Sequence, residues 1–309
     1  MDQTTKTNLN KSHKPASEDV VQIVIKSMKE IPQLPIANAA STKSLILVIH
    51  HMKIEPKIED FLSFASFKSL ESLKLVIYDC KSSNQNPKRL VESIDFKNLK
   101  NLKSLKLNFG CMTLNSDFLK ILSKQLKHCE QLETFYLSIP NAGLSPNDLD
   151  IIDTTFIKYD KIKHLGFNFL KVFNDRKSKL NLGKIGEIIT KIGSRMESLS
   201  LNVSQNELDN VEALQTGLLD ISDAKKIKVK LIMYNCLMNQ KPILLICDTM
   251  LKFDNLEEVK LDIRENYHDK KEYPSCKVIS YCETLICAFR HMLEEGDDQE
   301  AHRKYKVCY

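Results

Sequence analysis

Cys276, Cys282, Cys287 and His291 stand at C-x5-C-x4-C-x3-H spacing, and thiolates with imidazole are a ligand set that tetrahedral zinc takes. Structural zinc sites usually open with cysteines about two to four residues apart. The wider spacing here predicts small buried thiols and a histidine on a polar helix face rather than a metal centre. Nucleophilic chemistry has no better foothold. The chain contains no G-x-S-x-G elbow, H-E-x-x-H pair, C-x-x-C motif or phosphate-binding P-loop. His50 and His51 end an apolar segment, where a packed or solvated pair is expected. Glu257, Glu258 and Asp262 are interleaved with Lys260, as on a solvated strand face and unlike an isolated acid–base pair. These readings predict a non-enzymatic chain without cofactor or metal.

Lysine is the remaining chemical resource. The 309 residues carry 45 basic and 40 acidic side chains, a formal net charge of +5, and only six of the basic ones are arginine. Nucleic-acid binders lean on arginine for bidentate contacts, so this balance disfavours such a partner. Lys74, Lys106, Lys228, Lys230 and Lys260 recur at related positions with few aromatics among them and with Glu258 and Asp262 countering them. This pattern reads first as a solvated lysine-rich surface, next as a site for an acidic protein patch, and only then as one for stacked bases. Residues 1–19 are polar and lack the apolar stretch of a secretory signal, and no run approaches the ~18 apolar residues of a membrane span. Nine cysteines without framework spacing read as reduced thiols, so a cytoplasmic protein with no membrane partner is expected.

These lysines are positioned by a repeat. LESLKLVIYDC (70–80), LKSLKLNFGC (102–111) and LETFYLSIPN (132–141) align at once, and the register extends to eight units. Their central residues are Leu47, Leu75, Leu107, Leu137, Phe167, Leu201, Leu231 and Leu261, spaced by 28, 32, 30, 30, 34, 30 and 30. Within each unit apolar side chains alternate, as in Leu73, Leu75 and Ile77 or Leu105, Leu107 and Phe109, which predicts a strand buried on one face. Stripes of helical period lie between. Ser116 is expected to cap one containing Phe118, Ile121, Leu122 and Leu126. Ser145-Pro146 should start another through Leu149, Ile152 and Phe156. Leu182 to Ile192 and Val211 to Leu218 supply two more. Strand, helix, strand at constant spacing implies parallel strands joined by crossover helices, an α/β fold.

L-x-x-L-x-L followed by Cys or Asn, alternating with an amphipathic helix, resembles the leucine-rich repeat of the ribonuclease-inhibitor type over residues 44–266. The period is longer than the ~20–29 residues of that family. The Cys or Asn falls at Cys80, Asn206, Cys236 and Asn266 but drifts to Cys111 and Asn141. In the family this residue bonds backbone in the loop leaving the strand. The resemblance implies a solenoid, or horseshoe, with parallel strands on its concave face and helices on its convex face. It also implies a non-enzymatic role: a scaffold, adaptor or structural subunit of a larger assembly that holds a protein partner. The alternative is a regulator of an enzyme, of the GTPase-activating or inhibitor kind.

On that frame the outward strand positions form the expected protein-binding face: Lys74, Lys106, Asn108, Tyr136, His164, Asn168, Ser200, Asn202, Lys230, Lys260 and Asp262. They vary in type while the inward positions do not. The ends are not repeats. Residues 1–19 are expected to be a mobile tail, and 20–43 a capping segment in which Val20, Val21, Ile23, Val24 and Met28 form a short helix over Ile46 and Val48. Residues 267–295 are expected to be a helical cap, and 296–309 a charged tail.

Overall fold

The structure is a computed structural model that describes residues 20–25, 39–50, 64–78, 91–92, 94–175, 178–253, 255–266 and 305–308. Its strands are β1 (Val20–Ile25), β2 (Ser44–His50), β3 (Ser72–Tyr78), β4 (Ser104–Gly110), β5 (Thr134–Ser138), β6 (His164–Asn168), β7 (Lys179–Asn181), β8 (Ser198–Asn202), β9 (Glu207–Asp209), β10 (Ile227–Ile232), β11 (Leu256–Asp262) and β12 (Tyr305–Cys308). Ten of them form one sheet in the order β1-β2-β3-β4-β5-β6-β8-β10-β11-β12, and every pairing in it is parallel. β7 and β9 pair separately. The chain is thus α/β, with α1 (Ser116–Leu126), α2 (Pro146–Leu149), α3 (Gly183–Ile192), α4 (Val211–Asp220) and α5 (Gln240–Met250) between strands.

The repeat spacing becomes hydrogen-bond register without a slip at its centre. Leu47, Leu75, Leu107, Leu137, Phe167, Leu201, Leu231 and Leu261 are successive partners across the sheet, and all are buried. One contiguous core contains these rows and the helix stripes. Each such side chain contributes roughly 1.5–3 kcal/mol on burial. Phe109 meets Phe118 of α1 edge-on at 4.9 Å, which ties the sheet to the helix layer. Further along, α3 and α4 approach until a Cβ on Gly186 would lie 2.2 Å from the Ala213 carbonyl oxygen, so only glycine fits there.

Both strand ends also repeat. At the leading edge one carbonyl takes two amides of the next unit: Lys43 O accepts from Glu71 and Ser72, Glu71 O from Lys103 and Ser104, Lys103 O from Glu133 and Thr134. At the trailing edge Cys111, Asn141, Lys171, Gln205, Asn235 and Glu265 adopt φ of 56°, 54°, 46°, 60°, 52° and 57°. A left-handed residue costs an L side chain on the order of 1–2 kcal/mol. The amides of the first five offset this by bonding carbonyls of the following unit at 2.9–3.1 Å, as Gln205 N does to Tyr234 O. Cys111 and Asn141 therefore do not stand in for the buried Cys/Asn position. They occupy this exposed turn, one residue earlier. At the buried position Asn206 Nδ2 donates to the Phe169 and Val203 carbonyls, and Asn266 Nδ2 donates to those of Met233 and Ile263. Cys236 Sγ donates to Val203 O.

Four local expectations change. Residues 20–25 are a strand, not a helix, because five of the six are Val or Ile, whose β-branches disfavour helix and suit a pleated edge. β1 pairs with β2 in register Gln22 to Ile46 and Val24 to Val48, so it extends the sheet beside those residues instead of covering them. The helix expected from Pro146 to Phe156 stops at Leu149. Asp153 takes the Thr155 amide at 2.6 Å and its hydroxyl at 2.7 Å, a side-chain turn that competes with helix in a β-branched run, while Ile152 and Phe156 remain buried. Asn115, not Ser116, caps α1, accepting from Phe118 N at 3.0 Å. The span 296–309, expected as a tail, contains β12 paired with β11. Residues 1–19 and the helical cap expected over 267–295 lie outside the described residues.

Candidate protein-binding face

Because side chains alternate along a strand, the buried rows leave three outward rows on the opposite face. Register sets their membership. The middle row reads Lys74, Lys106, Tyr136, Gly166, Ser200, Lys230, Lys260 from β3 to β11. Toward the trailing edge runs Val76, Asn108, Ser138, Asn168, Asn202, Ile232, Asp262, and toward the leading edge Ser72, Ser104, Thr134, His164, Ser198, Lys228, Glu258. All eleven residues expected on the face lie in these rows. Lys74 is brought beside Lys106, Lys230 beside Lys260, and Asn168 beside Asn202. The two lysine pairs are held apart by β5, β6 and β8.

Between them the surface is low and uncharged in the middle row. The Tyr136 ring lies on Gly166 so closely that a Cβ there would sit 2.1 Å from Tyr136 Cδ2. Burial pushes the Tyr136 phenol up from its ordinary value. Polar neighbours are largely satisfied within the chain. Asn168 Nδ2 donates to Ser138 Oγ at 3.0 Å, and Asn202 Oδ1 accepts from the Ser204 amide and hydroxyl at 3.1 and 2.7 Å. Asp262 is clasped by Arg264, Nε to Oδ1 at 2.9 Å and Nη2 to Oδ2 at 2.7 Å. That hydrogen-bonded guanidinium holds its carboxyl below the usual aspartate value.

The face lysines have no such partners. Among the described residues Lys74, Lys106, Lys228, Lys230 and Lys260 form no ion pair within 4.0 Å. Glu258 stands opposite Lys228 in register but outside that distance. The leading edge is arranged otherwise, and this pattern was missed in the sequence. The residue just before β2, β3, β4, β5, β6 and β8 is Lys43, Glu71, Lys103, Glu133, Lys163 and Glu197, alternating in sign across neighbouring strands. Lys103 pairs with Glu71 at 2.8 Å and Lys163 with Glu197 at 3.4 Å, and further along Lys226 pairs with Glu257 at 3.3 Å. The Glu71–Lys103 hydrogen bond pulls the carboxyl down and the amine up. Reading the residue four before each central leucine would have exposed the alternation.

A cleft of about 1070 Å³ opens where this alternation breaks at Ile227, beside a register shift between Ile227 and Lys228. His164 lies in it with Nδ1 3.0 Å from Ser198 Oγ and Nε2 3.6 Å from Glu197 Oε2. The residue types match a hydrolytic triad, but the carboxylate is beyond hydrogen-bond reach. The neighbouring Glu197 and Ser198 amides are also taken by Lys163 O at 2.7 and 3.1 Å and are not free to bind an oxyanion. Burial pushes the Cys129 and Cys236 thiols up to about 12, which leaves them protonated and inert near neutral pH. Among the described residues no cluster of His, Cys, Asp and Glu is placed to hold a metal, and no helix is long and apolar enough to cross a membrane. The Cys276–His291 set and His51 lie outside the described residues, as does the His50 side chain.

No family model matches the chain, and no curated protein matches it.

Proposed function

We propose that the chain is a leucine-rich-repeat horseshoe of the ribonuclease-inhibitor type. In this reading it is a non-enzymatic cytoplasmic scaffold, adaptor or assembly subunit whose open sheet face holds an acidic protein partner. The observation that carries the partner class is electrostatic. Lys74 faces Lys106 and Lys230 faces Lys260 in register without an ion pair within 4.0 Å among the described residues, although like charges directly opposite on a sheet destabilise it. The same chain places a glutamate beside each of Lys103, Lys163 and Lys226 at the leading edge. Lysines without an ion-pair partner among the described residues, on a molecule that pairs charges along its edge, are lysines available to an external anion.

The test uses polyglutamate as an acidic polypeptide probe, titrated by fluorescence anisotropy against the full chain at two salt concentrations. Lys74→Glu, Lys106→Glu and Lys230→Glu together should weaken binding by about tenfold or more and flatten its salt dependence, with an unchanged melting curve. Equal affinities and equal salt slopes for the two proteins would refute the basic-face reading.

A further inference from the structure

Resting on that reading of the lysine face, we infer that its occupant is an acidic α-helix lying across the strands, with its carboxylates gathered on one helix face in two groups about 14 residues apart. The spacing follows from the sheet order. β4 and β10 are separated by β5, β6 and β8, which makes four inter-strand steps of ~4.8 Å, or about 19 Å, between the inner members of the pairs Lys74/Lys106 and Lys230/Lys260. At ~1.5 Å per residue a helix covers that distance in about 13 residues, and four full turns, about 14 residues, return the second group to the same face.

Width and relief select a helix. The outward rows span five residues, or four steps, along each strand, about 13 Å at ~3.3 Å per step, which accommodates a helix ~10–12 Å across. Its body would rest where Tyr136 lies flat on Gly166 and Ser200 adds only a hydroxyl, so the middle row carries no charge between the two lysine pairs. An extended segment crossing the strands would bring unpaired amides and carbonyls onto a face where Asn168 is already bonded to Ser138 and Asn202 to Ser204, whereas a helix satisfies its own backbone. Duplex nucleic acid fits the pattern poorly. Its phosphates follow one another every ~3.4 Å along each strand and would leave charge uncompensated over the neutral middle.

Two helix-stabilised synthetic peptides of identical composition and net charge test the spacing. One carries glutamate pairs about 14 residues apart and the other about 7 residues apart, both on a single helix face. Both are titrated against the full chain by fluorescence anisotropy. The wide-spaced peptide should bind about fivefold tighter or better, because only it engages both lysine pairs at once. Reversing either pair, Lys74→Glu with Lys106→Glu or Lys230→Glu with Lys260→Glu, should erase that preference while circular dichroism shows an unchanged melt. Equal binding of both peptides, lost in the lysine variants, would overturn the spaced helix and leave the basic face standing. Binding of both peptides indifferent to the lysine variants would overturn both readings. A short DNA duplex that outcompetes the wide-spaced peptide through the same lysines would overturn the helical occupant, as would no binding of that peptide up to about 1 mM.

Discussion

The open face and the leading edge of the sheet are built from the same residue types and solve opposite problems. At the edge, lysine and glutamate alternate from Lys43 to Glu197, and pairs such as Lys103–Glu71 close at 2.8 Å. One turn of the pleat away, Lys74 and Lys106 stand side by side without a carboxylate within 4.0 Å among the described residues. Exposed pairs are worth little individually, so the edge gains register and solubility more than stability. The face forgoes even that gain. The difference teaches that the sign pattern along a repeat carries more information than net charge, since +5 over the whole chain conceals both arrangements.

Both regions hang on the same buried rows, so the largest effect should come from breaking those. Leu137→Asp puts a charge at a fully buried position between Leu107 and Phe167. It should cost more than about 4 kcal/mol and remove edge and face together. A thermal melt by circular dichroism reads it, and an unchanged curve would contradict the inward assignment. Next in size is Gly166→Leu, which drives the Tyr136 ring off its seat and should cost about 1–3 kcal/mol in chemical denaturation. It should also weaken polyglutamate binding by roughening the neutral middle, which an edge substitution would not do.

The sharpest contrast uses one change in two places. Lys163→Glu sets three like charges in a row with Glu133 and Glu197, and should lower stability by at most about 1 kcal/mol, an effect that added salt relieves. Lys106→Glu removes a like-charge pair with Lys74 and should raise stability by a few tenths of a kcal/mol, the scale of cross-strand charge pairs. Urea midpoints moving in the same direction for both would break the comparison.

The smallest effect concerns pH. Arg264 lowers the Asp262 carboxyl in the folded chain, so that contact stabilises the fold above the unfolded aspartate value near ~3.9 and is lost as pH falls through the lower folded value. Arg264 is itself half exposed, so screening keeps the contribution below about 1 kcal/mol. Asp262→Asn should flatten the acid limb of a melting-temperature profile by that amount and leave the profile near pH 7 parallel to wild type.

The sequence by itself determined the strands from β2 to β11 that carry the eight central residues, their parallel register, and the three outward rows. Alternating apolar residues repeated at 28–34 residue intervals admit one buried face, and a slip of one residue would turn Leu107 and its neighbours to solvent. It also placed α1, α3 and α4, whose stripes are long and uninterrupted. Where local preferences compete at short range the tertiary structure decided. Val20–Ile25 is a strand because β2 offers an open edge for it to pair with. The Pro146 helix ends after one turn because Asp153 and Thr155 bond each other. Asn141 turns left-handed because the Leu170 carbonyl of the next unit waits for its amide. The pairing of charges belongs to the same class. Glu71 and Lys103 are thirty-two residues apart and become partners only when hydrogen bonds set the strands side by side. Ion pairing depends on a few ångströms, whereas hydrophobic periodicity depends only on which face a residue takes.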